Sequence, residues 1–343
     1  MCIISEKSFI TRKRSGHERG GSVEDKEKSK DSLKVARMYY FQNMTTDAIA
    51  YELNVSRSTV SRLLTYAKKQ GLISISINDP DEHPQYLEKR IVEYFKIKKA
   101  HVVPVPVTAG EAEWLSRVVQ YAAKYLNSIF SSDMIMGIAW GTTISGISRF
   151  LLPKVTHNSQ IIQLNGAGNN QSMGIEYASE IIVRFAQNYQ AVVNLFPVPT
   201  FFDFASTKQA LWKERSMQRL LELQRRADLL LYSIGAVNAG VPSHVYEAGY
   251  LEKADFLEIK RLALAGDIAT VFFREDGSFQ NIPINNRTSG PGLSLFQEKY
   301  GICVVSGFAK TKGLAAALRG GLLSELIVDE PTARKLVEDT IQP

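Results

Sequence analysis

Hydrophobic positions along this chain follow two patterns. From about residue 100 onward, short apolar runs recur between amphipathic stretches. His101–Val107, Met134–Trp140, Gln160–Leu164, Ala191–Phe196, Leu229–Ile234, Ile268–Phe273, Ile302–Val305 and Leu326–Val328 read as buried strands. Between most of them, Ala112–Phe130, Thr142–Leu152, Ile175–Asn188, Thr207–Arg226, Lys310–Arg319 and Pro331–Asp339 carry apolar positions at helical spacing. Apolar strands separated by amphipathic helices predict a doubly wound, mostly parallel α/β sheet. Sites in such sheets lie at the carboxyl ends of strands, in the loops that lead into helices.

Before residue 100 the pattern is helical and short. Asp31–Phe41 predicts one helix, with apolar faces from Leu33, Val35, Ala36, Met38 and Tyr39. Residues 45–70 predict two more, joined by a tight turn, with Ile49, Leu53, Val55, Val60 and Leu63 as their shared core. Ala50 is small where the helices approach, and Asn54 tolerates the positive φ of the turn. Ser56 is a natural N-cap for the second helix, and Gly71 stops it. Ser56, Arg57, Ser58, Thr59, Ser61 and Arg62 are then left on or near its exposed side, with Thr46 in the first helix. A helix-turn-helix lays its second helix in the DNA major groove, N-terminal residues nearest the base edges. Hydroxyls and arginines are the groups that meet phosphates and guanines there. The plainer reading is a purely structural helix pair. The single register in which the Ala, Asn and Val spacing fits, and the side chains it exposes, favour DNA.

The rest of the N-terminal region divides at its polar stretches. Residues 1–29 bury too little apolar surface to order themselves and are expected to form a flexible extension. Leu72–Ile77 alternates like a short strand, a wing or a pairing element. Asn78–Pro84 is a proline-marked break, and Tyr86–Phe95 a short amphipathic helix, a hinge or a dimer contact. The expected organisation is an extension (1–29), a helix-turn-helix head (30–77), a linker with a short helix (78–99) and an α/β body (100–343). A length of 343 residues suits two domains.

Charge sharpens this division. The net charge is +6, and residues 1–77 hold 14 Lys and Arg against 8 Asp and Glu, while the rest holds 27 of each sign. The whole excess lies with the head, as expected of a DNA-binding module on a neutral body. The two cysteines, Cys2 and Cys303, exclude a disulfide framework and suit a reducing compartment. Cys303 sits in an apolar run and reads as an inert buried thiol. Five scattered His give no metal-ligand spacing. With no apolar run of membrane-spanning length and no signal-peptide core, a soluble cytoplasmic protein without metal or cofactor is expected.

Three strand ends in the body suit small anionic ligands. After Met134–Trp140, Gly141, Thr142 and Thr143 open a helix whose N–H groups and hydroxyls can cradle a phosphate. After Gln160–Leu164 comes Asn165-Gly166-Ala167-Gly168, with Gln163 and Asn165 able to donate and accept. After Leu229–Ile234, Gly235 permits close backbone approach. Each alone is equally an ordinary turn; three on one sheet point to a site. Asp267 starts a strand, where a carboxylate accepts sugar hydroxyls or simply caps a turn. Lys310 opens a helix, where a cation is unfavourable unless an anion lies between.

Together these segments resemble the SorC family of sugar-responsive bacterial transcription regulators. The likeness runs through Val55–Leu64 in the head and through Gly137–Thr143, Gln163–Gly166, Leu195–Pro199, Ala227–Gly235, Gly266–Ile268 and Ala316–Gly321, covering about residues 30–343. The chain departs from the family pattern at Ser306 and Phe308. The resemblance implies a sugar-binding body similar in fold to sugar-phosphate isomerases and glucosamine-phosphate deaminases. It places Thr142 and Thr143 in a phosphate loop, Lys310 near the ligand, and Asp267 and residues 163–166 along the sugar. It also implies a tetramer, a repressor on a palindromic operator of a carbohydrate catabolism operon, released or reshaped by a phosphorylated sugar.

An isomerase or deaminase is the alternative function. It lacks a visible His–Asp or paired-carboxylate arrangement, although Glu247 and Asp267 are available as bases. A nucleoid-type structural binder leaves the large neutral body unexplained.

Overall fold

The computed structural model of the chain describes residues 3–4, 23–73, 75–76, 84–106, 108–169, 175–236, 244–247 and 249–341. Two compact units divide it, Met1–His83 and Pro84–Pro343. In the first, helices α1 (Val23–Tyr40), α2 (Thr46–Glu52) and α3 (Arg57–Lys69) enclose Val35, Met38, Ile49, Ala50 and Val60. Asn43, Asn54 and Gly71 take φ 55°, 52° and 64°, at three places where the chain turns sharply. Val55 does not join this core. The turn at Asn54 swings it outward, and it is 39% exposed. Helix α1 begins well before the expected Asp31, so Val23–Ser29 are helical rather than part of a flexible extension. Residues 5–22 of that extension lie outside the described residues. Within the strand expected at Leu72–Ile77, Ile75–Ser76 (β2) pairs antiparallel with Ile3–Ile4 (β1), and residues 74 and 77 lie outside the described residues. Of the expected Asn78–Pro84 break, residues 78–83 lie outside the described residues.

The second unit is built on a seven-stranded, all-parallel sheet. Its strands are β3 (Lys99–Val103), β4 (Ile135–Ile138), β5 (Gln160–Gln163), β6 (Val192–Asn194), β7 (Leu229–Tyr232), β11 (Tyr300–Val305) and β12 (Glu325–Asp329), in the order β3-β12-β11-β7-β4-β5-β6. Alternate residues feed two separate cores, one on each face. Leu230, Tyr232, Cys303 and Val305 pack on one side, and Leu229, Leu231, Ile302 and Val304 on the other. This double burial is why the strands read as continuous apolar runs. Helices α5 (Glu111–Ile129), α6 (Thr142–Arg149) and α7 (Ile175–Tyr189) supply one face. Helices α4 (Pro84–Phe95), α9 (Arg215–Arg225), α13 (Thr311–Arg319) and α14 (Glu330–Thr340) supply the other. Leu87 and Ile91 of α4 sit in that core, so the short helix assigned to the linker is part of the body.

From β4 the chain winds outward through β5 and β6, then returns to β7 and winds the opposite way through β11 and β12. The switch between β4 and β7 opens a crevice at their carboxyl ends, the usual ligand position in a doubly wound sheet.

Two expected strands and one expected helix are divided. The run Leu229–Ile234 breaks at Ser233. Beyond it, β8 (Ile234–Gly235) leaves the main sheet and pairs antiparallel with β9 (Leu264–Ile268), Gly235 opposite Asp267. Ile268–Phe273 is a hairpin instead of a strand. Ala269 and Thr270, both at positive φ, turn β9 into the antiparallel β10 (Val271–Arg274). Thr207–Arg226 splits into α8 (Ala205–Leu211) and α9 where Glu214 turns extended, at ψ 138°, and Trp212 at the end of α8 meets Phe196 and Phe202 edge-on. Short helices α10 (His244–Glu247), α11 (Lys253–Arg261) and α12 (Ser294–Glu298) complete the described α-helices.

Candidate functional site

Each unit presents its own candidate surface. On the head, Ser56 caps α3: its hydroxyl accepts from the Thr59 N–H at 3.1 Å and lies 2.8 Å from Ser58 Oγ. Arg62 folds back along the helix, donating to Ser58 O and Thr59 Oγ1 at 3.4 and 3.3 Å. Arg57 pairs with Asp47 at 3.5 Å, and both side chains are about two-thirds exposed, so the pair holds Arg57 only weakly. Ser58, Ser61 and Arg62 are exposed, and Thr46 and Thr59 are half-buried. The first two turns of α3 thus offer accessible hydroxyls and two guanidinium groups.

In the body, a cavity of about 50 Å³ occupies the crevice between β4 and β7. One ordered water needs about 10–15 Å³ on this measure, so the space admits a group of phosphate size. Gly141, Thr142, Thr143, Asn165, Gly235, Asp267 and Lys310 all line it. Gly141, at φ 156°, is the N-cap of α6. Thr142 and Thr143 follow in the first turn, whose N–H groups lack partners within the helix. Thr143 is buried and faces Lys310, whose Nζ donates to Thr143 Oγ1 at 3.4 Å and to Ser233 Oγ at 3.3 Å. Lys310 closes a short turn (Phe308–Lys310) before α13 and is 8% exposed. Burial pulls its ammonium below the ordinary lysine range, while Cys303, Asp267 and Glu111 act to raise it.

The loop before Lys310 is held by carboxylates. Gly307 N–H donates to Asp329 Oδ2 and Thr332 Oγ1, both at 3.1 Å, and Phe308 N–H donates to Glu111 Oε1 at 3.1 Å. Those amides are spent, and the Lys310 side chain and the start of α6 line the cavity. Phe308 lies edge-on to Trp114 and is 42% exposed; it does not line the cavity.

Asp267 arrives from the small sheet. Tyr246 donates to its Oδ1 at 2.8 Å, and Thr270 N–H to its Oδ2 at 3.0 Å. Burial pushes its carboxyl up, and these two bonds and the Lys310 charge oppose the rise. Gly235 makes room for this carboxylate: a Cβ there would stand 1.9 Å from Asp267 Oδ1. Its close approach therefore serves a protein side chain first.

Two expected residues do not border the cavity. Gln163 is buried, donates to Asn165 O at 2.7 Å and accepts from Phe196 N–H at 3.2 Å. Gly166 donates to Ser289 Oγ at 2.9 Å, and its carbonyl accepts from the Trp140 indole and the Thr200 hydroxyl at 2.9 Å each. A Cβ on Gly166 would collide with the Val198 carbonyl at 2.2 Å. Both residues shape the turn that carries Asn165. Sequence reasoning did not assign Ser233, Trp140 and Thr270 to the site and singled out Ser306 only as a departure from the family pattern; all four line the cavity. Ser233 was legible, as the residue that parts the apolar run from Gly235. Among the described residues no group of three or more His, Cys, Asp or Glu is placed to hold a metal. No described helix is long and apolar enough to cross a membrane.

Comparison with known proteins agrees with both units. Residues 79–338 match the family described as "Putative sugar-binding domain", and residues 31–70 match sigma-70 region 4. The deoxyribonucleoside regulator of Bacillus subtilis (strain 168) is 35% identical over 318 residues, 92% of this chain and 99% of that protein. Among solved structures, a domain of a possible sugar-binding transcriptional regulator from Arthrobacter aurescens TC1 is 46% identical. It covers 76% of this chain and 99% of its own, with a TM-score of 0.70. The full-length sorbitol operon regulator SorC from Klebsiella pneumoniae shares the fold with a TM-score of 0.66 at 22% identity, over 91% of this chain and 99% of that one. These relatives are transcriptional regulators, which sets the isomerase or deaminase reading aside. The chain belongs to the SorC family of sugar-binding transcriptional regulators.

Proposed function

We propose that this protein binds the operator of a carbohydrate catabolism operon and that a phosphorylated sugar in the body controls that binding. The buried ammonium of Lys310 carries the reading. It lies beside the Thr143 and Ser233 hydroxyls in a cavity that the start of α6 also lines. Burying a charge is costly without a counter-ion. A phosphoryl group supplies one at the start of α6, where the helix dipole favours an anion. Asp267 and Asn165 then accept sugar hydroxyls.

On the head, Thr46 and Ser56 approach phosphates, while Arg57, Ser58, Thr59, Ser61 and Arg62 face the major groove. One such helix per chain suits a palindromic operator read by a symmetric oligomer, and the family resemblance supports a tetramer. The reducing-compartment cysteine usage supports a cytoplasmic site of action. Control follows from linkage: a ligand that prefers the conformation with lower DNA affinity releases the operator by its differential binding energy, typically about 1–3 kcal/mol. The name of the Bacillus subtilis relative puts deoxyribose and ribose phosphates first among candidates. Calorimetric titration with phosphorylated sugars and their unphosphorylated parents tests the reading. Heat from a phosphosugar alone supports it; equal heat from both, or none, overturns it.

A further inference from the structure

The effector cavity contains two buried polar atoms that no protein group meets. Asn165 Oδ1 and Ser306 Oγ lack hydrogen-bond partners, although the residues are only 1% and 8% exposed. Both line the cavity. A buried polar atom left unpaired destabilises the fold, and such atoms in native structures mark places where something else completes the bond. An amide oxygen only accepts, and a serine hydroxyl both donates and accepts. A ligand that satisfies both therefore offers hydroxyl groups.

Sheet order fixes where these atoms lie. Asn165 follows β5 and Ser306 follows β11, so they flank the β4–β7 switch from opposite sides. Strands lie about 4.8 Å apart, which separates the two strand ends by roughly 14 Å before the side chains reach inward. Thr143, Ser233 and Lys310 lie between, as the place for one anionic group.

The charge inventory limits the ligand further. Lys310 is the one cationic side chain among the described residues that line the cavity, and Asp267 lines it too. The stretches 170–174 and 237–243, outside the described residues, contain no Lys or Arg. One ammonium and one helix N-terminus, worth about half a charge, match a single phosphoryl group. A second would meet the Asn165 oxygen or the Asp267 carboxyl.

We propose that Asn165 and Ser306 determine the specificity of this site, reading two hydroxyl groups of a sugar that carries one phosphoryl group and rejecting sugars that carry two. The inference rests on the reading of the cavity as a phosphosugar site. Its test is titration and thermal melting of the full chain with ribose 5-phosphate, 2-deoxyribose 5-phosphate, glucose 6-phosphate and fructose 1,6-bisphosphate at fixed ionic strength. The parent, Ser306→Ala and Asn165→Ala are compared. The best monophosphate is expected to bind the parent at least about tenfold more tightly than the bisphosphate, and each variant about tenfold more weakly, one hydrogen bond's worth. Without ligand, Ser306→Ala is expected to melt no lower than the parent, because the hydroxyl it removes has no partner. A bisphosphate bound as tightly as any monophosphate, both variants binding like the parent, or a lower unliganded melting temperature for Ser306→Ala would each overturn the proposal. If none of the four sugars binds the parent, the phosphosugar reading itself fails, and this inference with it.

Discussion

Replacing Lys310 with methionine separates what this residue does for the fold from what it does for the ligand. The side chain is 8% exposed, and its two hydrogen bonds, at 3.3 and 3.4 Å to hydroxyls, are long. Burial already pulls its ammonium below the ordinary lysine range, so holding the charge costs the unliganded protein free energy. Exchanging a buried charge for an apolar group of similar volume is often neutral or stabilising, by up to about 1–4 kcal/mol. Asp267 loses a favourable charge in the exchange, which offsets part of that gain. It keeps its bonds from Tyr246 and Thr270. The net change expected without ligand is within about 1 kcal/mol, or about 2–4 °C in melting temperature for a domain of this size. For the liganded state, loss of a charge-assisted hydrogen bond to phosphate costs about 1.5–3 kcal/mol, roughly 10- to 150-fold in affinity. Scanning calorimetry of the free protein and titration with the phosphosugar that binds best measure the two quantities. A Lys310→Met protein destabilised by more than about 3 kcal/mol would make Lys310 a structural residue. One that keeps full affinity would place the anion elsewhere.

Further outcomes follow from the same geometry. Gly235→Ala is expected to push the Asp267 carboxylate off its Tyr246 bond and to cost about 1–3 kcal/mol, read by thermal melting; an unchanged melting temperature would mean that the contact relaxes freely. Arg57→Ala and Arg62→Ala are expected to weaken operator binding by about 1–3 kcal/mol where the arginine meets a guanine. Circular dichroism should show both variants folded, and operator affinity equal to the parent's in both would misplace the recognition helix. On the alkaline side, phosphosugar affinity should fall as pH rises through the lowered Lys310 pKa. In that window the unfolded chain binds more protons than the folded one, so stability without ligand should rise with pH. Titration calorimetry and melting across pH 7–10 would then move in opposite directions, and parallel trends would contradict the assignment.

Much of this was legible in the sequence, for identifiable reasons. The turn at Asn54, the cap at Ser56 and the stop at Gly71 are local backbone requirements that one residue type meets best, so the head could be read almost residue by residue. The parallel sheet was legible because burial on both faces leaves uninterrupted apolar runs. What the sequence hid depends on contacts distant along the chain. Nothing local marks Ala269 and Thr270 as a hairpin turn, since neither favours positive φ; the turn is held by Asp267 accepting the Thr270 N–H. Nothing in the helical spacing of Thr207–Arg226 marks Glu214 as the residue that turns extended between α8 and α9. Val55 looked like core by spacing, yet the turn that precedes it points it outward. Gln163 and Gly166 looked like ligand groups by composition and proved to be bonded within the protein. Composition at a strand end therefore located the cavity, and hydrogen-bond satisfaction decided which groups remain free to serve it.

The central claim is that sugar phosphate in the body governs DNA in the head. Fluorescence anisotropy of the full chain on DNA from upstream of its own gene, at fixed salt, with and without phosphorylated sugars and their parents, tests it most directly. Tight binding that one phosphosugar shifts about 5- to 150-fold, and that its unphosphorylated parent leaves alone, is the predicted result. Specific DNA binding indifferent to every phosphosugar, or no binding above the non-specific level, would contradict it.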